Sequence, residues 1–215
     1  MSQLVAAFLT VFVGLFPIVN PLGMAPIFLR LTADASERTR ARLAWQIAVG
    51  GFVLMAASLF IGSHILTFFG LTINAVQIAG GLVVMASGWR LLQQGSDARA
   101  LEQHEPVPDE LMMRRAFFPL TMPLTVGPGT ISVAITLGTR WVEASRPLMV
   151  AVGGLAAALA VAATIFLSYR FAPAILRRLG ETGTDVLMRL SAFILLCLGV
   201  QILTNGLASL PFLAK

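Results

Sequence analysis

Five stretches of this 215-residue chain carry no Asp, Glu, Lys or Arg: residues 1–29, 43–89, 116–139, 147–169 and 190–214. A helix needs about 20 apolar residues to cross the hydrocarbon core of a bilayer. Four of the stretches are one crossing long. The fifth, 43–89, holds two crossings and a tight turn, for which Gly70 offers a stop and Thr72 or Asn74 a cap. His64 is expected at that same turn. The chain is therefore expected to be an all-α polytopic membrane protein with six transmembrane helices. Its 12% charged residues agree, since soluble domains carry about a quarter.

Basic residues set the expected orientation. Arg30, Arg38, Arg40, Arg42, Arg90, Arg99, Arg114, Arg115, Arg170, Arg177, Arg178 and Arg189 fall after spans one, three and five. Arg140, Arg146 and Lys215 fall on the other side. The positive-inside rule makes the first side cytoplasmic and turns both termini outward, periplasmic or external. The net charge of +5 is mostly this bias, so nucleic acid is not an expected partner. No basic residue precedes Arg30, so span one lacks the charged start of a cleaved signal peptide and is expected to be retained. Trp45, Trp89, Trp141 and Tyr169 lie near span ends, as an interfacial belt of aromatic residues would place them. The loop 93–115 reads as a solvated cytoplasmic linker, and Asp34 three residues before Glu37 as a capping-box start for span two.

Within span one the stretch FPIVNPLGMAPIF, residues 16–28, holds three prolines, a glycine and an asparagine. Span four opens on FPLTMPL, residues 118–124, matching FPIVNPL at an offset of 102. AVGG occurs at 48–51 and at 151–154, an offset of 103, and GWRLLQQG at 88–95 parallels GVQILTNG at 199–206, an offset of 111. One match per span in the same order points to a repeat of three spans, residues 1–92 and 116–215, joined by 93–115. The drift in offset needs a longer connection between spans five and six. Copies with an odd number of spans run in opposite directions, so the expected architecture is a 3+3 inverted repeat with spans one and four broken, as in secondary transporters.

A broken helix leaves N–H and C=O groups unpaired, carrying roughly half an elementary charge at each end. Asn20 followed by Pro21 is a cap followed by proline at the first helical position. In span four Thr125 and Gly127 are candidate caps ahead of Pro128. Gly127 and Gly129 would let a solute approach the backbone, and Thr121, Thr130 and Ser132 add hydroxyls. The plainer account is a pair of proline kinks relieved by neighbouring helices. Glycine pairs at 50–51, 80–81 and 153–154 suit close helix packing. Asn74, Gln77, Gln201 and Asn205 suit interfacial hydrogen bonding. Cys197 sits alone in an apolar run, so no internal disulfide can form. No Asp or Glu falls at membrane depth, which argues against a carboxylate proton relay, and no His/Cys set suggests a metal.

The segments NPLGMAPIFLRLT (20–32), IAGGLVVMASGWRLL (78–92) and FPLTMPLTVGPGTIS (118–132) resemble the signature segments of the MarC family of six-span inner-membrane proteins. That resemblance implies a relation to amino acid and metal exporters built from 3+3 repeats, and a neutral amino acid as cargo. Together with the breaks it gives the leading expectation: an inner-membrane secondary transporter or exporter of a small neutral amino acid or similar zwitterion. Asn20, Pro21, Gly23, Thr121, Thr125, Gly127, Pro128, Gly129 and Thr130 would form one midplane site. Half-helix N-termini would hold the carboxylate, and carbonyls freed before Pro21 and Pro128 the ammonium. No cofactor, metal or enzymatic step is expected; a coupling ion and homo-oligomerisation stay open. The alternative is a non-transporting membrane scaffold or regulatory protein. A polar cavity between the breaks would favour transport, a dry filled interface the scaffold.

Overall fold

A computed structural model describes residues 3–94, 109–139 and 146–209. In chain order it holds α1 (Gln3–Val19), α2 (Pro21–Leu31), α3 (Glu37–Phe69), α4 (Ile73–Gln94), α5 (Asp109–Arg114), a π-helical segment (Ala116–Thr125), α6 (Pro128–Thr139), α7 (Pro147–Arg170) and α8 (Ala172–Ala208). Among the described residues there is no strand. Five stretches are long and apolar enough to cross a membrane: Gln3–Leu31, α3, Ile73–Gln93, α7 and α8. The π segment and α6, bent by 67° to one another, supply a sixth when taken as one crossing.

Local chemistry sets most of the ends. α3 stops at Gly70, whose φ of 65° is open to glycine without penalty. Gly70 N–H donates to the Thr67 carbonyl and Leu71 N–H to the Leu66 carbonyl, a Schellman closure. Thr72 then starts α4 by accepting from Ala75 N–H. The turn is thus where the sequence puts it, but His64 lies within α3 rather than in the turn. α3 has 33 residues, roughly 50 Å of helix, so its arginine-bearing first turns extend beyond a ~30 Å hydrocarbon core. Its cap is Ser36, which accepts from Thr39 N–H; Asp34 sits in the preceding loop and plays no capping part. Arg40 reaches back from α3 to the end of α2 and donates to the Thr32 and Ala35 carbonyls at 2.9 and 3.1 Å. A cation at a helix C-terminus also suits the dipole.

α8 contains one break, at Gly180 (φ 66°, ψ −177°). The helical piece ahead of it, residues 172–179, is eight residues long, the length by which the repeat offset grows from 103 to 111. The linker expected over 93–115 falls largely outside the described residues. α4 runs to Gln94, and α5 buries Met112 against the core; residues 95–108 lie outside the described residues.

Lipid exerts no hydrophobic drive between helices, so close approach through small residues holds such bundles together. α4 and α8 meet backbone to backbone. A Cβ on Gly81 would lie 2.9 Å from the Gly199 carbonyl oxygen, and one on Gly199 would lie 2.9 Å from the Gly81 carbonyl oxygen. Gly153 of α7 rests on the backbone of α1 at Leu4 and Phe8, and Gly138 of α6 on the backbone of α3 at Leu59. The remaining packed pairs include α3 with α7, the π segment with α3, α2 with α7 and α8, and α4 with α6.

Candidate functional site

The first break is a single residue. Asn20 takes the left-handed conformation (φ 48°, ψ 55°), which Asn tolerates better than most side chains. Its N–H donates to the Phe16 carbonyl, and its carbonyl accepts from Met24 N–H. Its side-chain Oδ1 accepts from Gly23 N–H at 3.2 Å. That bond fixes the amide orientation and leaves Nδ2 as the other end. Nδ2 is buried and has no hydrogen-bond partner. Three carbonyls nearby lack their ordinary α-helical donor, because proline has no N–H: Val13 (opposite Pro17), Pro17 (opposite Pro21) and Leu22 (opposite Pro26). Residues 13–22 thus hold three carbonyls without their ordinary donor and one unpartnered donor, spread over nearly three turns.

The second break is longer. Phe118 (φ −123°, ψ 122°) and Met122 (φ −120°, ψ 124°) leave the helix; each precedes a proline, whose ring pushes the residue before it toward extended backbone. The remaining bonds widen to i→i−5, from Leu120 N–H to Arg115 and from Val126 N–H to Thr121. Threonine hydroxyls take up part of the lost ladder. Thr121 donates to the Ala116 carbonyl and Thr125 to the Leu120 carbonyl, each at 2.7 Å. These two hydroxyls, expected to face a solute, are spent on their own backbone. Gly127 occupies the cap position before Pro128, its carbonyl accepting from Ile131 N–H.

The glycines do not leave the approach that the sequence suggests. A Cβ on Gly129 would run into Val84 of α4, and one on Gly23 would meet the Asn20 side chain and Ser191 of α8 at 2.5–2.6 Å. Small size at both serves packing. Gly80 likewise makes room for Ser132, whose hydroxyl donates to the Val76 carbonyl. Thr130 is buried on α6.

Tyr169 links the two breaks. Read from sequence as an interfacial aromatic, it is instead wholly buried. Its ring stacks on Phe28 of α2, centroids 4.4 Å apart and planes within 8°. Its hydroxyl lies 2.9 Å from Thr125 Oγ1. Thr125 has one hydrogen and gives it to Leu120, so Tyr169 is the donor. The other belt residues fit their role better: Trp45 and Trp89 are over half exposed, while Trp141 lies outside the described residues. The sequence signal available for Tyr169 was that it is the one tyrosine in the chain, a phenol in a span whose other residues, Phe166 apart, are aliphatic, Met or small.

The structure therefore groups Asn20, Pro21 and Gly23 with Ser191, and Thr121–Thr130 with α3, α4 and Tyr169, and joins the groups through Phe28 and Tyr169. Two cavities open on the arginine-rich face. One, about 720 Å³, is lined by Arg30, Glu37, Arg177, Glu181 and Asp185 among others; the second, about 410 Å³, lies between α3, α5 and α7. Neither is lined by a residue of the breaks. Asn74 donates to the Ser209 carbonyl and Gln201 to Asn205, the interfacial bonding expected of them. Among the described residues no three His, Cys, Asp or Glu side chains come together as metal ligands.

Residues 5–210 match the model of a family described as MarC family integral membrane protein. The chain is similar to proteins named inner membrane protein MarC. That of Salmonella typhimurium is 33% identical over 207 residues, 90% of each chain. That of Citrobacter koseri has the same identity and coverage. That of Escherichia coli O1:K1 is 35% identical over 203 residues, 91% of each chain. No solved structure matches.

Proposed function

The chain belongs to the MarC family of integral membrane proteins, and from that premise we propose that it is an inner-membrane secondary transporter of a small neutral amino acid or similar zwitterion. The observation that carries this reading is the buried, unpartnered Nδ2 of Asn20. An unused donor in a membrane interior costs about 1–3 kcal/mol, so it is kept only where something uses it. A solute carboxylate on Nδ2, with its ammonium on the carbonyls of Pro17 or Leu22, would satisfy both charges without a charged side chain. The second break enters through Tyr169 rather than by direct contact.

The packing supports an inverted repeat as the frame for alternating access. Exchanging spans one, two and three for four, five and six turns the α1–α7 contact into one between the π segment and α3, and α2–α8 into α6–α4, and all four are present. Gly80 and Ser191, which align at the offset of 111, each pack against a small residue of the other half's broken span, Ser132 and Gly23 respectively. On this frame the termini face outward and the arginine-rich cavities inward.

A second reading, the non-transporting scaffold, is favoured by the Phe28–Tyr169 stack, which fills the space between the breaks. For a transporter that stack is a closed gate. Uptake and counterflow of labelled neutral amino acids in proteoliposomes separate the two. The transporter reading expects counterflow with the wild-type chain and none with Asn20→Leu at matched insertion. Absence of counterflow across small neutral amino acids would leave the scaffold.

A further inference from the structure

We propose that the cavity between α3, α5 and α7 is a binding site for one anionic phospholipid. It holds about 410 Å³, and Arg38, Arg42, Trp45 and Gln46 of α3, Met113 of α5 and Phe166 of α7 line it. Its position is interfacial from both sides. Arg42 is the last charge before the charge-free run 43–89, and Phe166 lies four residues before Arg170. The wall is apolar toward the core, where Trp45 and Phe166 meet edge to face at 5.8 Å and Met113 packs on the buried cluster. An acyl chain fits such a wall. Arg38 and Arg42, exposed residues one helical turn apart, line it almost wholly through their apolar stems, which leaves both guanidinium groups at its rim, with Gln46 one turn further along.

Like charges at that spacing repel. Among the described residues no carboxylate pairs with Arg38 or Arg42 within 4.0 Å. At a cytoplasmic membrane surface the available counter-charge is the phosphodiester of an anionic lipid, which guanidinium binds in bidentate fashion. A zwitterionic lipid fills the same groove but brings its own cation to the arginines. The site therefore selects by headgroup, and the chain portion is held without selection.

Tryptophan quenching tests this directly. Trp89→Phe and Trp141→Phe leave Trp45 as the single reporter in the full chain. In mixed micelles, phosphatidylglycerol with brominated acyl chains should quench Trp45 at a roughly tenfold lower mole fraction than brominated phosphatidylcholine. Arg38→Gln with Arg42→Gln should abolish that difference while leaving quenching by phosphatidylcholine unchanged, which also reports an intact groove. Arg177→Gln with Arg178→Gln should keep it. Inorganic phosphate and soluble glycerophosphoglycerol should displace neither lipid. Equal quenching by the two lipids in the wild-type chain overturns the proposal. So does loss of the preference in the Arg177/Arg178 pair, which would trace it to general surface charge. Displacement by soluble phosphate would make the site one for a free anion. Should the Arg38/Arg42 variant fail to insert, native mass spectrometry of the wild-type chain decides: phosphatidylglycerol is retained at collision energies that strip phosphatidylcholine, or the site is not there.

Discussion

The same proline spacing gives two different structures in the two halves of this chain. At 16–22 it interrupts a span for one residue, and the halves run on as one stretch of 29 residues. At 118–124 it opens the helix at two residues, widens the ladder and turns the span by 67°. Part of the difference lies in what precedes the second proline; Phe118 opens although its counterpart Phe16 is the same residue and stays helical. Asn20 can enter the left-handed region and cap the next helix with its own side chain. Met122, its counterpart at the offset of 102, has no polar atom and goes to extended backbone instead. The first break repairs itself and leaves a donor over. The second borrows hydroxyls from Thr121 and Thr125 and closes its account through Tyr169.

The largest effect expected is all-or-none. If the two breaks run in opposite directions, the loops that follow them lie on opposite faces. In a Cys197→Ser background, Asp34→Cys should react with an impermeant thiol reagent only from the cytoplasmic face and Arg146→Cys only from outside. Labelling of both from one face removes the inverted relation. Next comes Thr125→Val, which strands the Leu120 carbonyl and the Tyr169 hydroxyl in a dry interior. It should cost about 2–4 kcal/mol, read as a lowered unfolding midpoint in detergent. Tyr169→Phe keeps the stack and the Thr125–Leu120 bond and should cost only ~1 kcal/mol. If the two cost the same, Tyr169 rather than the threonine repair holds the second break.

Asn20→Gly sharpens the other side. Glycine keeps the left-handed backbone, loses a cap worth a few tenths of a kcal/mol, and removes the unpaired Nδ2, so the net should stay within ~1 kcal/mol of zero. Counterflow should nevertheless be lost. A loss of several kcal/mol would mean that Nδ2 has a resident partner. The smallest effect is expected of Met122→Asn, ~1 kcal/mol or less, because that residue is already extended and half-exposed and gains no N–H to cap. If it straightened the span toward the 29-residue form, the residue before the proline alone would decide the outcome.

Charge-free runs and glycine stops made the spans legible, since the bilayer imposes them residue by residue. Gly70 and Thr72 are where the sequence puts them for that reason. The breaks were legible as positions, because proline cannot donate, but not as shapes. Nothing in FPLTMPL says that threonine hydroxyls, not solute, take the freed carbonyls; that depends on rotamers settled by packing. Gly129 and Gly23 misled for a related reason. A missing Cβ serves an approaching ligand and an approaching helix equally, and only the neighbours, Val84 and Ser191, tell which. Tyr169 misled by its place at a span end, which matches an interfacial belt until α2 lays Phe28 over it.

The contact between Gly81 and Gly199 has a further consequence. Each glycine faces the carbonyl of the other, so residue i meets j and j meets i. That reciprocity belongs to the isologous interface of a symmetric dimer. Here both partners are in one polypeptide, and the covalent link between them supplies effective concentration. A cut between α4 and α5 would leave one glycine of the pair on each piece. Held in the same bilayer, the pieces would meet as two subunits meet, and the monomer would become in kinetic terms a heterodimer.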